Sequence, residues 1–345
     1  MTINIDRPSI SYENVSLLKG GATSYSNTSN NASSIKLIPL LQDFSFNFDT
    51  KTEDVLSLGD KFYSKRVNRY DVDVNLDISI VETFEDMFSG FFGSSELLSD
   101  LNKDVSFYFL IGKKKNNDNF SDADETINFG NAFIKNFSMS QSKNQLLSSK
   151  YSYSCSNVNA EQLVSSTLSN PAIDLTGTQL QDLTSTLPNL QTLFYSQSNL
   201  QNKTYPAYKT NITISGVKSE DIFLVKPDMI EDFNFEIPFN RQKIFTLGKK
   251  YPMQRRFKND SQGSLSVSCI TSEFVVNGND SNLKDFLNEN DTYVINFNFL
   301  SENGTPKNFE ISEARLKTSS HSASLTQTLK SSFSFDFDPF EFKKA

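Results

Sequence analysis

The stretch Asp43–Arg66 occurs twice in this chain. Shifted by 189 positions without a gap, it lies over Asp232–Arg255: DFSFNF over DFNFEI, then VLSLGDKFYSKR over IFTLGKKYPMQR. Seven of the 24 aligned positions are identical, among them Phe44/Phe233, Phe46/Phe235, Gly59/Gly248 and Arg66/Arg255. An ungapped match that keeps both the apolar alternation and a glycine predicts a duplicated domain. A chain of 345 residues is long enough for two domains of ordinary size, so two hydrophobic cores are expected.

In chain order, residues 1–34 read as an arm, because SYSNTSNNASS is polar, small and aperiodic. LIPLLQDFSFNF from Ile35 reads as a strand with Phe44, Phe46 and Phe48 on one face, followed by a polar loop from Asp49 to Arg69. YDVDVNLDISIV (70–81) alternates strictly, with Val72, Val74, Leu76, Ile78 and Ile80 on one side and Asp71, Asp73 and Asp77 on the other. Residues 83–101 repeat Phe at helical spacing behind Thr83 as N-cap, which predicts a short amphipathic helix. A strand at 104–112, a polar turn at 113–126, and strands at 127–140 and 146–155 close the first copy. Residues 157–220 form a connector rich in Ser, Asn, Thr and Gln, part of which is expected to pack on a domain, with a strand at 208–217.

The second copy retraces the first. Leu265, Val267 and Cys269 overlie Leu76, Ile78 and Ile80, residues 279–290 occupy the helix position, and TYVINFNFL matches DVSFYFLIG. The shift then becomes 182, with Ala132/Ala314, Lys135/Lys317, Gln145/Gln327, Leu147/Leu329 and Ser149/Ser331 identical, so a polar turn has lost seven residues. The predicted organisation is an arm (1–34), a β domain (35–156), a connector (157–220) and a second β domain (221–345).

The balance of 33 basic and 41 acidic side chains gives a formal charge of −8, which argues against general nucleic-acid binding. Thirty-one Phe and no Trp make phenylalanine the core filler. Cys155 and Cys269 each lie on the apolar face of an alternating stretch and are expected to be reduced core thiols. The N-terminal residues lack the basic and apolar regions of a secretion signal, and no run of eighteen apolar residues occurs.

No catalytic constellation emerges. His321, the only histidine, has no recognisable nucleophile, acid or second metal ligand around it. SDADET (121–126) lacks the glycine and terminal glutamate of a calcium loop, and reads as a solvated turn. No cofactor, metal or enzymatic activity is expected. One charge feature separates the copies. The loop Pro238–Lys258 holds seven basic residues and no acid, whereas Asp49–Arg69 mixes five basic with four acidic side chains.

The stretch NFGNAFIKNFSMSQSKNQLLSSKYSYSCSNV (128–158) resembles the closing hairpin of the tail tube (major tail) proteins of long-tailed bacteriophages. LIPLLQDFSFNFDT with Leu58-Gly59 is similar to their opening strand and loop, and NPAIDLTG with TLP is similar to segments of siphophage-like tail proteins. The resemblance implies a mainly β chain: two tandem antiparallel β-sandwiches or barrels, each with one flanking α-helix. It implies trimers forming pseudo-hexameric rings that stack into a tube, other phage tail or baseplate proteins as partners, and DNA passing through without specific binding. The location implied is the virion tail, assembled in the host cytoplasm. Candidate ring-stacking residues are then Lys61, Lys65, Arg66, Arg69, Lys249, Lys250, Arg255, Arg256 and Lys258, and candidate lumen residues are Asp71, Asp73 and Asp77. The alternatives are a baseplate hub or tail adaptor ring and, more distantly, a glycan-binding adhesive β-sandwich.

Overall fold

The computed structural model describes residues 15–20, 36–38, 40–55, 65–83, 104–112, 123–162, 170–173, 204–216, 230–244, 247, 254–258, 261–270, 292–324 and 327–344. Of the expected helices at 83–101 and 279–290 only Thr83 lies within them, and it forms an antiparallel bridge with Thr204 in place of the expected helix N-cap.

Among the described residues the chain is mainly β, and every strand pair is antiparallel. Its first half comprises β1 (Val15–Lys19), β2 (Lys36–Leu37), β3 (Leu41–Val55), β4 (Lys65–Val81), β5 (Val105–Gly112), β6 (Ala123–Ser142), β7 (Ser148–Cys155) and β8 (Asn157–Gln162). Its second half comprises β9 (Thr210–Gly216), β10 (Ile230–Pro238), β11 (Arg241–Ile244), β12 (Gln254–Phe257), β13 (Gly263–Ile270), β14 (Thr292–Leu300), β15 (Pro306–Ser324), β16 (Gln327–Phe337) and β17 (Phe342–Lys344). Fifteen of these strands belong to one hydrogen-bonded sheet, and β11 and β12 form a separate hairpin.

The layering follows from two long strands that each serve two partners. The N-terminal part of β6 pairs with β5 and β8, and its C-terminal part pairs with β7 and β10. The change of partners falls at Gly130–Asn136, where Asn131 has a positive φ of 49° and the ladder to β7 slips between Ile134 and Asn136. Bulges of this kind let one strand turn from one layer to the next. β15 behaves alike, pairing with β14 and β17 through its N-terminal part and with β16 from Ala314 onward, with a slip between Leu316 and Thr318.

Alternation decides what is buried. On β4, Val74, Leu76, Ile78 and Ile80 are buried, while Asn75, Asp77 and Ser79 are half-buried on the other face. Phe107 of β5 meets Tyr153 of β7 edge-on at 4.8 Å, and Tyr293 of β14 meets Phe335 of β16 at 5.7 Å, so aromatic rings fill the space between layers. The expectation of two cores is corrected: one cluster of buried side chains runs from Leu17 to Phe342 and draws on both halves. Cys155 and Cys269 are free and buried in it, as expected.

Several other expectations change. The arm contains β1, which pairs with β5 and buries Leu17 and Leu18. The single strand from Ile35 is broken at Leu40, which has a positive φ of 50°, so Lys36–Leu37 turns to β1. The polar loop from Asp49 is largely ladder, since β3 and β4 stay paired out to Val55↔Lys65. The turn at 113–126 ends early, because Ala123–Thr126 already pairs with Leu110–Gly112. The basic loop holds the β11–β12 hairpin.

Part of the connector packs on the first half, as expected, and it explains Gly130-Asn131. Asn131 Oδ1 accepts from Ile173 N at 2.9 Å, its Nδ2 donates to Asp104 Oδ2 at 2.6 Å, and Asn157 Nδ2 donates to Pro171 O at 2.9 Å. A Cβ on Gly130 would lie 2.0 Å from Pro171 O, so only glycine lets 170–173 sit against β6. Gly130→Ala is therefore expected to cost about 1–3 kcal/mol, as overpacking does. Gly304→Ala, with φ +85° but nothing within 4 Å, should cost only the left-handed penalty of about 1–2 kcal/mol. Chemical denaturation of both variants, together with protease sensitivity at 170–173, checks the contrast.

Candidate functional site: the junction between the halves

β10 adds to the edge of β6 over seven opposed pairs, from Asp232↔Ser142 to Pro238↔Asn136. The ladder is extended at both ends: Lys143 N donates to Glu231 O at 2.6 Å and Phe239 N to Lys135 O at 2.7 Å. Period-two alternation turns Phe233, Phe235 and Ile237 inward, where all three are buried. Phe235 stacks on Phe337 at 5.4 Å and meets Phe137 of the first half at 6.0 Å. On the other face Asn136 Nδ2 donates to Glu236 Oε1 at 2.7 Å.

The β11–β12 hairpin clasps this junction from one end. Arg255, only 6% exposed, donates to Ser154 O at 3.2 Å, to Ser154 Oγ at 2.9 Å and to Ser156 Oγ. Arg241 donates from Nε to Ile134 O at 3.2 Å. Both guanidinium groups lie over the Phe133 ring, at 4.7 Å for Arg255 and 5.5 Å for Arg241. Burial first, and the like charge of Arg255 second, pull the Arg241 pKa down to about 10, which leaves it cationic at neutral pH.

A buried ion pair closes the junction elsewhere. Glu82, just beyond β4, accepts from Lys307 Nζ of β15 at 2.7 Å and from Tyr151 Oη at 2.8 Å. Burial would raise the Glu82 carboxyl, but the Lys307 charge and the hydrogen bonds from its partners outweigh that and hold it below its ordinary value. A cleft of about 500 Å³ is lined by Gln141, Leu146, Pro206, Tyr208, Ile212 and Phe233 among others. Gln141 Nε2 donates to Tyr205 O at 3.0 Å, and Thr210 Oγ1 donates to Gln141 Oε1 at 2.6 Å. Among the described residues no group of three His, Cys, Asp or Glu could hold a metal.

The residues singled out from the sequence fall in different settings. Lys61, Lys249 and Lys250 lie outside the described residues. Lys65, Arg66 and Arg69 belong to β4, with Lys65 and Arg66 opposite Val55 and Asp54. Arg256 and Lys258 are exposed. Arg255 is corrected: it is folded onto Ser154 and Ser156 of its own chain and is not presented outward. Asp71 and Asp73 lie on β4 in the same alternating series as Asp77, which accepts a hydrogen bond from Ser152. His321 is on β15 opposite Ser331. The Glu82–Lys307 pair, 225 residues apart, had no sequence signal, because nothing local marks either residue.

No family model matches the chain, and no curated protein matches it. Among solved structures, a chain of the anti-feeding prophage baseplate, a 6-fold symmetrised cryo-EM structure, aligns at 11% identity over 40% of this chain and 92% of that chain, with a TM-score of 0.25.

Two outcomes follow for the junction. Lys307→Met, which leaves the Glu82 carboxylate buried without its cation, is expected to cost about 3–5 kcal/mol, and Glu82→Gln/Lys307→Met to recover most of it. Because the folded carboxyl lies below its unfolded value, its stabilisation is full above the ordinary carboxylate range and fades as pH falls through the folded pKa. Urea unfolding from about pH 7 to pH 3 should therefore show an acid-side slope that is smaller in the double variant. Separately, Arg255→Ala is expected to lower stability by about 2–3 kcal/mol, and Arg256→Ala by less than about 0.5, in the same assay.

Proposed function

We propose that the chain is two tandem copies of one β domain, and that three chains close into a pseudo-hexameric ring whose stacking builds a virion tail tube around a DNA-conducting channel. The observation that carries this reading is the agreement of ladder registers at the sequence shifts. Val74↔Cys155 between β4 and β7 has its counterpart in Gly263↔Phe337 between β13 and β16. The slip of β3 against β4 between Leu41 and Asp43 has its counterpart in β10 against β13 between Ile230 and Asp232. The slips in β6 and β15 correspond as well, and β1 sits on β5 as β9 sits on β14. By this pairing each copy starts at its outer strand, β1 or β9, earlier than the sequence boundaries at 35 and 221.

The two domains are already joined edge to edge by β6 and β10, which is how a ring of domains is built. Six domains per ring then require three chains. In such a ring the aspartate face of β4 would line the channel, where negative charge keeps DNA from adhering. Electron microscopy of the purified, concentrated protein is expected to show stacked threefold rings around a pore; a monodisperse monomer at all concentrations would overturn the reading. In assembled particles, Asp71→Lys/Asp73→Lys/Asp77→Lys is expected to convert a surface that ignores DNA into one that retains it at low salt, measured by co-sedimentation.

A further inference from the structure

The internal junction has an unmatched twin at the two ends of the same sheet. The strand run β3-β4-β7-β6-β10-β13-β16-β15 ends at β3 on one side and at the C-terminal part of β15 on the other. Among the described residues, β3 pairs only with β4, and Lys317–Ser324 pairs only with β16. By the sequence shifts of 189 and 182, β3 corresponds to β10 and this part of β15 to the part of β6 that β10 covers.

The geometry points to a chain-to-chain junction in which β3 of one copy adds antiparallel to β15 of a second copy, in the register of the internal β6–β10 ladder. Carried over pair by pair, that register sets Phe44 opposite Ala323, Phe46 opposite His321, Asn47 opposite Ser320 and Phe48 opposite Ser319. This inference rests on the duplication and ring assembly proposed above, and it adds which edges meet, in which direction and in which register.

Three observations carry it. First, the apolar face of β3 is open where its counterpart is closed. Phe46 and Phe48 are 45% and 49% exposed, whereas Phe235 and Ile237, at the same positions of β10, are both at 0%. Exposed rings on an unpaired strand edge are what a further strand covers. Second, the edges are complementary in kind: each is one half of a junction whose other half the same chain forms internally. Third, the charges change in step. Arg255 sits at the position equivalent to Arg66, and its acceptors Ser154 and Ser156 correspond to Asp336 and Asp338. Within the chain an arginine meets two hydroxyls; between chains an arginine position faces two carboxylate positions. Asp336 already holds Lys317 at 2.9 Å beside the open edge. A head-to-tail contact of this kind closes into a ring or runs on as a filament.

Cysteine cross-linking at the derived register tests this. Asn47 and Ser320 are both exposed, and directly opposed strand residues have Cα separations within disulfide reach. The native Cys155 and Cys269 are buried and do not compete. Under mild oxidation Asn47→Cys/Ser320→Cys is expected to give a covalent ladder of multimers on a denaturing gel. Asn47→Cys/Ser324→Cys, about 13 Å out of register, should give at least tenfold less. Rings or higher oligomers with no cross-link at 47–320, or a monomer-sized cross-linked product, would overturn this junction while leaving ring assembly standing. Only monomers by light scattering, before and after oxidation, would overturn both. As a second arm, Asp336→Arg is expected to cut the assembled fraction at least tenfold, and Arg66→Asp/Asp336→Arg to restore it; no restoration in variants with native circular dichroism counts against the charge pairing.

Discussion

The fold depends on the antiparallel ladder between β6 and β10. β10 carries Phe233, Phe235 and Ile237 inward, and those rings fill a core to which both halves contribute. A slip of one residue in this ladder would send all three to the other face, so the register is fixed by burial as much as by hydrogen bonding. The Arg241–Arg255 clasp over Phe133 and the buried Glu82–Lys307 pair then hold the two halves at points away from the ladder. Together the three contacts join the two halves, and the ladder makes them one continuous sheet.

Much of this was legible in the sequence because strands announce themselves by alternation. Val74–Ile80, Tyr151–Cys155 and Leu265–Cys269 bury the residues that their period-two pattern selects. The legible part stops where a side chain's meaning depends on a distant strand. Arg255 sits in a basic loop that reads as outward-facing, yet hydroxyls 99 and 101 residues away draw it inward. Glu82 carries no local signal, because its partner is on β15. The polar residues 49–55 read as loop because charge and Thr content mask strand pairing that depends on β4 lying alongside. Gly130-Asn131 was visible as a pattern, and its cause, the close approach of Pro171, was not.

The difference between the halves carries as much meaning as their likeness. The internal junction meets an arginine with serines and covers its phenylalanines, while the matching outer edges carry carboxylates and leave Phe46 and Phe48 open. A junction formed during folding of one chain can be neutral, since its partner is always tethered. A junction between separate chains gains from charge that steers encounter and fixes orientation. Under the proposed chain-to-chain junction, Asp336 and Asp338 would supply that charge opposite the Arg66 position of a second chain.

Amide hydrogen exchange, followed from dilute to concentrated protein, tests the central claim most directly. The account expects the amides of Asn136–Ser142 and Asp232–Ile237 to be slow at every concentration. The alternate amides of Asp43–Phe48 and Thr318–Ser324 that are not bonded to β4 or β16 should be fast when dilute and slow together on assembly. Edges that stay fast in the assembled state, or that slow down one without the other, would contradict it.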